Sequence, residues 1–365
     1  RVAQGLGGAL LLPVGRLAVL RAFPREEFIS AMSLVAIPGL VGPLIGPTLG
    51  GWIVEYASWH WIFWVNVPVG LVGLVAAQRF MEGGEAQPSR GFDAVGYGLL
   101  AFGMAAVSLA VEGMAGGGVR GASALVMMVF GLASLAAYWL HALRSPNPLF
   151  VPGLFEVRTL RVGLLGNLFS RLGSSCMPFM IPLVLQVSLG YTPMQAGMMM
   201  LPTVLGSMAA KPLVTHIVRR WGYREVLVAN TCALALLIAS FSLLSPSPPF
   251  ALLLVQLALF GAVNSMQFSA MNTVTLKDLE GQDASSGNSL LSMVQMLALG
   301  MGVAAAGAVL ASFEGYFGQA QHALNAFRAT FACMGLLTLA ATALFLQLPA
   351  HEPPRAHPPV PEEQV

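Results

Sequence analysis

Runs of apolar residues, each about 20 long, alternate with short polar turns along almost all of the 365-residue chain. A run of that length is what an α-helix needs to cross roughly 30 Å of hydrocarbon. Eleven such segments are predicted, at 1–20, 30–54, 61–80, 94–112, 123–142, 161–187, 195–217, 226–244, 250–274, 286–311 and 328–348. Two polar breaks are longer than the rest: 81–93 (MEGGEAQPSRGFD) and the Pro-rich 144–159 (RSPNPLFVPGLFEVRT). A turn of sequence SPSPP occupies 245–249, and the polar, Pro-rich tail from 350 is expected to be disordered. The pattern predicts an all-α polytopic membrane protein.

Composition agrees with this pattern. Hydrophobic residues make up 56% of the chain and charged residues only 9%, against roughly 25% charged in a soluble domain. So few charges cannot cover a surface exposed to water. The 40 glycines and 24 prolines fall largely inside the apolar runs, where neighbouring helices re-satisfy the backbone groups they free.

The net charge of +2 says little, but the placement of the 18 Lys and Arg says more. Alternate loops put Arg16, Arg21, Arg25, Arg79, Arg90, Arg144, Arg158, Arg161, Arg219, Arg220, Arg224, Lys277 and Arg355 on one side. Only Arg120 and Arg328 fall on the other, and Arg1, Arg171 and Lys211 lie within segments. By the positive-inside rule the basic side is cytoplasmic. The C-terminus is then expected in the cytoplasm, and residue 1 on or towards the outer side. If the complete protein starts in the cytoplasm, an odd number of helices precedes Arg1, and the chain is expected to be a fragment.

Enzyme chemistry finds no support. Cys176, Cys232 and Cys333 lie singly in apolar runs without metal-ligand or redox spacing, and the six histidines are scattered. No nucleophile motif, phosphate-cradling loop or basic nucleic-acid stripe is present. No catalytic residue, metal, cofactor or nucleic-acid partner is expected.

The segment 30–54 carries Gly42-Pro43-Leu44-Ile45-Gly46-Pro47-Thr48-Leu49-Gly50-Gly51. Glycines at every fourth position make a bare stripe that another backbone can approach, and the prolines kink the helix. The plain reading is helix packing. The functional reading is a hinge and seal between two rocking bundles. The run resembles the antiporter motif of the major facilitator superfamily, in the fifth helix of its proton-driven exporters. Arg1, Gln4, Gly5 and Gly7 are similar to that superfamily's fourth-helix R-x-x-Q-G-x-G motif. Eleven segments counted from a fourth helix give fourteen, the layout of its drug:proton antiporters of the QacA and EmrB type. Residues 57–63, 268–279 and 284–292 resemble members of the same group.

The resemblance implies a major facilitator fold, N-terminally truncated by about three helices. It implies the last three helices of an N-terminal bundle at 1–80, a linker region with two extra helices at 81–152, a six-helix C-terminal bundle at 153–349 and a cytoplasmic tail at 350–365. It also implies a monomer in the bacterial inner membrane whose partners are a small-molecule substrate, protons and the lipid bilayer.

Charges at the bilayer centre are costly and need a partner or a water-filled cavity. Arg171 lies in mid-segment, either in such a cavity or in a pairing that only holds helices together. Lys211 lies where it can snorkel to the cytoplasmic interface. Asn167, Phe169, Arg171, Asn264, Gln267 and Phe268 are candidates for a mixed polar and aromatic substrate pocket near the midplane. Interhelical hydrogen bonding is the alternative for each. Met198, Met199 and Met200 could supply a pliable wall. Arg219, Arg220 and Arg224 anchor a cytoplasmic loop that resembles a degenerate form of the superfamily's loop motif, with Val218 in place of its acid.

Proton-coupling candidates are Glu55 and Glu112 at outer helix ends, and Arg1 through its motif. The resemblance also implies an acidic residue in a first helix that this sequence does not include. Three readings follow: a proton-coupled antiporter exporting amphipathic drugs or toxic compounds; an exporter of a small organic anion or metal chelate, favoured by embedded cations; and a non-transporting truncated membrane protein.

Overall fold

In the computed structural model, residues 4–5, 7–8, 42, 45–80, 92–114, 118–279, 281–317 and 323–349 are described. The expected span 1–20, most of 30–54 and the 350–365 tail lie outside them. The described residues contain nine helices long and apolar enough to cross a membrane: 61–80, 94–113, 121–142, 158–187, 193–214, 223–243, 250–276, 283–317 and 323–345. Each matches a predicted segment in order and in most bounds.

Residues 45–56 form helix α1. It is followed by α2 (Trp61–Trp64), α3 (Asn66–Phe80), α4 (Ala94–Met114) and α5 (Gly118–Ala142). A 3-10 turn at Pro152–Glu156 leads into α6 (Arg158–Ser174), α7 (Met177–Val187) and α8 (Pro193–Met198). The chain continues through α9 (Leu201–Trp221), α10 (Tyr223–Ser240), α11 (Phe250–Leu276), α12 (Gly281–Phe317), α13 (Ala323–Ala340) and the short α14 (Thr342–Phe345). Helices α6 and α7 make one span, broken by the turn at Ser175 and Cys176. Helices α9 and α10 are parted by Gly222 alone, at φ 83°, a value that only glycine adopts readily.

The chain divides into two compact units. One comprises 1–88 with 191–204, and the other 89–190 with 205–365. In the larger unit α4 and α5 form an antiparallel hairpin, while α10 to α13 pack around α6. Leu236, Leu252 and Leu336 are well exposed on the outside, as suits a surface facing acyl chains. The inside is closed by large apolar side chains such as Phe260, Phe331 and Phe345.

Lipid is as apolar as leucine, so burying apolar surface does not by itself draw these helices together. Close backbone approach and hydrogen bonds must do so. Gly206 on α9 lies against the Ala258 carbonyl of α11, with no room for a Cβ. Ser207, beside it, donates to the Gly261 carbonyl at 2.9 Å. Gly163 on α6 is filled by Thr275 of α11, and Gly335 on α13 faces the Ala235 carbonyl of α10 at 2.9 Å from a built Cβ. Helices α10 and α11 are also tied by amides. Asn230 donates to the Gln267 side-chain oxygen at 2.7 Å, and Gln267 donates to Thr231 Oγ1 at 2.8 Å.

One polar lock lies just outside the spans. Asp93, 7% exposed, accepts the Gly96 N–H at 2.8 Å and sits 2.9 Å from His141 Nε2, joining the start of α4 to the end of α5. The Gly96 N–H, and after it His141, hold the Asp93 carboxyl below its ordinary 3.8 against the opposing effect of burial.

Four outcomes are expected from this packing and the Asp93 lock. Gly206→Leu should wedge α9 from α11 and lower the stability of the detergent-solubilised protein by about 1–3 kcal/mol. Gly307→Ala, where a Cβ meets nothing within 4 Å, should leave thermal unfolding unchanged or raise it. Asn230→Leu should cost about 1 kcal/mol by stranding the Gln267 amide, and Asn230→Leu with Gln267→Leu should recover part of it. A carboxyl held low stabilises above its ordinary value, and that contribution is lost as pH falls through the lowered one. Thermal unfolding of Asp93→Asn from about pH 7 to about pH 3 should therefore lose the part of the acid sensitivity that wild type owes to this carboxylate.

Candidate functional site

Arg171 lies at the middle of the span Arg158–Val187. Its guanidinium sits over the Phe268 ring of α11, 4.6 Å from the centroid, a distance at which a cation is held by the ring's electron-rich face. Its Nε is buried with no hydrogen-bond partner. The one ion pair among the described residues is that of Asp93 and His141, so no carboxylate neutralises Arg171 there.

Beside this stack is a cavity of about 140 Å³, lined by Arg171, Ser174, Ser175, Pro178, Asn264, Gln267, Phe268, Met271 and Leu299. Its walls come from α6, α7, α11 and α12. Four of the six expected pocket residues thus meet at one place. Their roles in the wall differ. Gln267, 1% exposed, has its amide engaged by Asn230 and Thr231 of α10. Asn264, by contrast, has no such tie among the described residues and leaves its amide available. Ser175 Oγ is turned back to the Arg171 and Ala298 carbonyls, at 2.5 Å and 3.3 Å.

Asn167 and Phe169 are not part of this cavity. Phe169 faces outward, 38% exposed. Asn167 is fully buried in a second amide cluster, where Gln295 of α12 donates to Asn272 Oδ1 at 2.6 Å and to Asn167 Oδ1 at 3.3 Å. Asn167 and Asn272 are four residues from Arg171 and Phe268, about 6 Å along a helix. This cluster therefore lies one turn nearer the Arg158 and Leu276 ends.

Ser174, Pro178 and Met271 line the cavity without having been singled out from sequence. A signal for them existed: Arg171, Ser174 and Pro178 follow helical spacing, as do Asn264, Gln267, Phe268 and Met271. Leu299 gave none. A larger cavity of about 340 Å³ lies at the opposite ends of α10 and α11, among residues such as Leu237, Leu244, Pro249 and Leu252. It is almost wholly apolar, and its Gln256 is tied to Ser240 at 2.7 Å.

In the smaller unit, Gly42, Gly46 and Gly50 of the motif have open space beside them among the described residues. Gly51 instead meets Pro193 and Met194 of α8, and Gly197 of α8 meets Pro47. Glu55 accepts the Met194 N–H at 3.0 Å. Glu112 is exposed near the end of α4, and Lys211 is exposed on α9. Arg1 and Pro43 lie outside the described residues.

The sequence matches the profile of the Major Facilitator Superfamily over residues 1–303 and 163–364. It is 46% identical over 354 residues to a protein of Serratia proteamaculans, covering 96% of this chain and 74% of that relative. A protein of Escherichia coli is 45% identical over 350 residues, covering 96% and 73%. One of Pectobacterium atrosepticum is 45% identical over 314 residues, covering 86% and 67%. All three carry the provisional name multidrug resistance protein MdtD. With its multiple membrane-spanning helices and matches along its whole length, the chain belongs to the Major Facilitator Superfamily and is a membrane transporter.

Proposed function

We propose that this transporter exports small amphipathic compounds from the cytoplasm by proton-coupled antiport. Its setting is the bacterial inner membrane, with the C-terminus cytoplasmic, as the one-sided distribution of Lys and Arg supports. The observation that carries the reading is the mid-span cavity in which Arg171 rests on Phe268, with the Asn264 amide unengaged. Its lining is mixed, with Pro178, Phe268, Met271 and Leu299 beside five polar residues, of which Ser175 and Gln267 are already engaged, so that the remaining polar groups fix orientation without demanding one substrate shape. Phe268 supplies a flat face, Met271 and Leu299 a compliant wall, and Asn264 a donor and acceptor. The provisional multidrug resistance name of the relatives points the same way.

Residues 1–80 act in this reading as part of an N-terminal bundle, 81–152 as a linker with two extra helices, and 153–349 as the bundle that carries the cavity. Of the coupling candidates, Glu112 and Arg1 are assigned the transported proton, and Glu55 is the one in contact with a neighbouring helix. The seal between bundles is assigned in this reading to the antiporter motif, Gly42, Pro43, Gly46, Pro47, Gly50 and Gly51, of which Pro47 and Gly51 touch α8.

A second reading is export of a small organic anion or an anionic metal chelate. The buried, unbonded Nε of Arg171 and its lack of a carboxylate partner favour it. An unneutralised guanidinium at mid-span is stabilised by an arriving anion.

In everted vesicles carrying the full-length protein, a pH gradient acid inside should drive accumulation of amphipathic cationic dyes. Flux that survives collapse of the gradient would exclude proton coupling. Phe268→Ala should weaken binding of aromatic substrates about tenfold. Arg171→Ala should change the dye spectrum with dye flux kept within about threefold, whereas under the second reading it lowers anion flux about a hundredfold.

A further inference from the structure

The helix that carries the antiporter motif has a second stripe beside its glycines. Pro47, Gly51 and Glu55 recur every four residues and so share one face of α1. Within the smaller unit this face lies on α8. A Cβ on Gly197 would strike the Pro47 carbonyl and stand 3.3 Å from Thr48 Cα. A Cβ on Gly51 would strike the Pro193 carbonyl and stand 2.9 Å from Met194 Cα. The Thr48 hydroxyl beneath is buried and unbonded. Two backbones are therefore in direct contact at Gly51 and Gly197.

At the end of the stripe, the donors that start α8 can be accounted for one by one. Pro193 has no N–H. The Gln195 N–H is taken by Thr192 Oγ1 at 3.3 Å, and the Gln195 side chain takes the Thr192 N–H at 3.0 Å, a complete capping box. The Met194 N–H is left over, and the Glu55 carboxylate accepts it at 3.0 Å from the other helix. Glu55 is the only charged residue of 45–56, and α8 has none. Nearby titratable groups are Tyr56 on the same helix, His60 in the following turn and Tyr191 before α8.

We infer that Glu55 is a proton-operated latch on the closure between the antiporter-motif helix and α8, separate from the group that carries the transported proton. An ionised carboxylate is a much stronger acceptor than a neutral one, so protonation slackens the only charge-assisted tie on this face. The placement of Lys and Arg puts both ends of the tie on the outer side, from which protons enter in antiport. A proton arriving there loosens the outer closure when the exporter must open outward. Reciprocally, opening strengthens the hold of Glu55 on that proton. Facing only the outer end, Glu55 returns its proton to the side it came from. It is a positioning residue, and this inference rests on the antiport reading above.

The test places a cysteine under the closure. In right-side-out vesicles containing the full-length protein, Thr48→Cys is labelled with an impermeant maleimide. Protein without that substitution sets the baseline for Cys176, Cys232 and Cys333. Labelling is read at about pH 7, where enough thiolate is present, and should be slow. Glu55→Gln, which mimics the protonated carboxyl, should label about tenfold faster at the same pH, Glu55→Asp should stay slow, and His60→Gln should leave the rate unchanged. Gly197→Ala, which wedges the same face, should be fast with Glu55 intact. Slow labelling retained in Glu55→Gln overturns the latch, as does fast labelling in Glu55→Asp or His60→Gln, or slow labelling in Gly197→Ala. Labelling reads the closure and not flux. A failed latch therefore leaves antiport standing, and absent antiport leaves the labelling readable.

Discussion

Inside hydrocarbon there is no water to satisfy a polar group, so each one is driven to a partner within the protein, on its own helix or on another. The larger unit is organised by that demand. Gln267 joins Asn230 and Thr231, Gln295 joins Asn167 and Asn272, and Ser207 reaches a carbonyl across the α9 and α11 contact. These bonds span gaps that only small residues leave narrow enough. Gly163, Gly206 and Gly335 are thus part of the same arrangement as the amides. Arg171 differs from these amides, because its partner is the face of a ring and not an acceptor.

The fold was legible because its controlling variable, the length of an apolar run, is written linearly along the chain. The nine described spans fall where 61–80 through 328–348 were expected. The site was legible only in part, for a physical reason. Sequence shows which polar residues are embedded, but which helix face turns inward depends on packing. Asn167 and Arg171 are one turn apart on α6, yet Asn167 is consumed by Gln295 while Arg171 opens on a cavity. Phe169, between them, turns away. The antiporter motif gives a parallel case. Its glycines drew notice through their spacing, while the contact with α8 runs along Pro47, Gly51 and Glu55.

On the proposed reading, the two candidate elements divide a transporter's work between recognition and closure. In the cavity, a weakly selective lining surrounds one fixed cation and one unengaged amide. At the α1 and α8 contact, backbone meets backbone and a single carboxylate completes the cap of a short helix. The first element tolerates variation in its ligand because few of its groups demand a partner. The second tolerates almost none, because a single added methyl would meet main chain on both sides.

Gln267 lines the cavity yet is anchored by the helix behind it. Its side chain is oriented by Asn230 and Thr231, which no ligand in the cavity touches. The contour offered to a ligand is therefore partly set by residues at one remove, on α10. With cargo held in this cavity, as proposed, selectivity can drift through substitutions on a neighbouring helix, leaving every residue that meets the cargo unaltered.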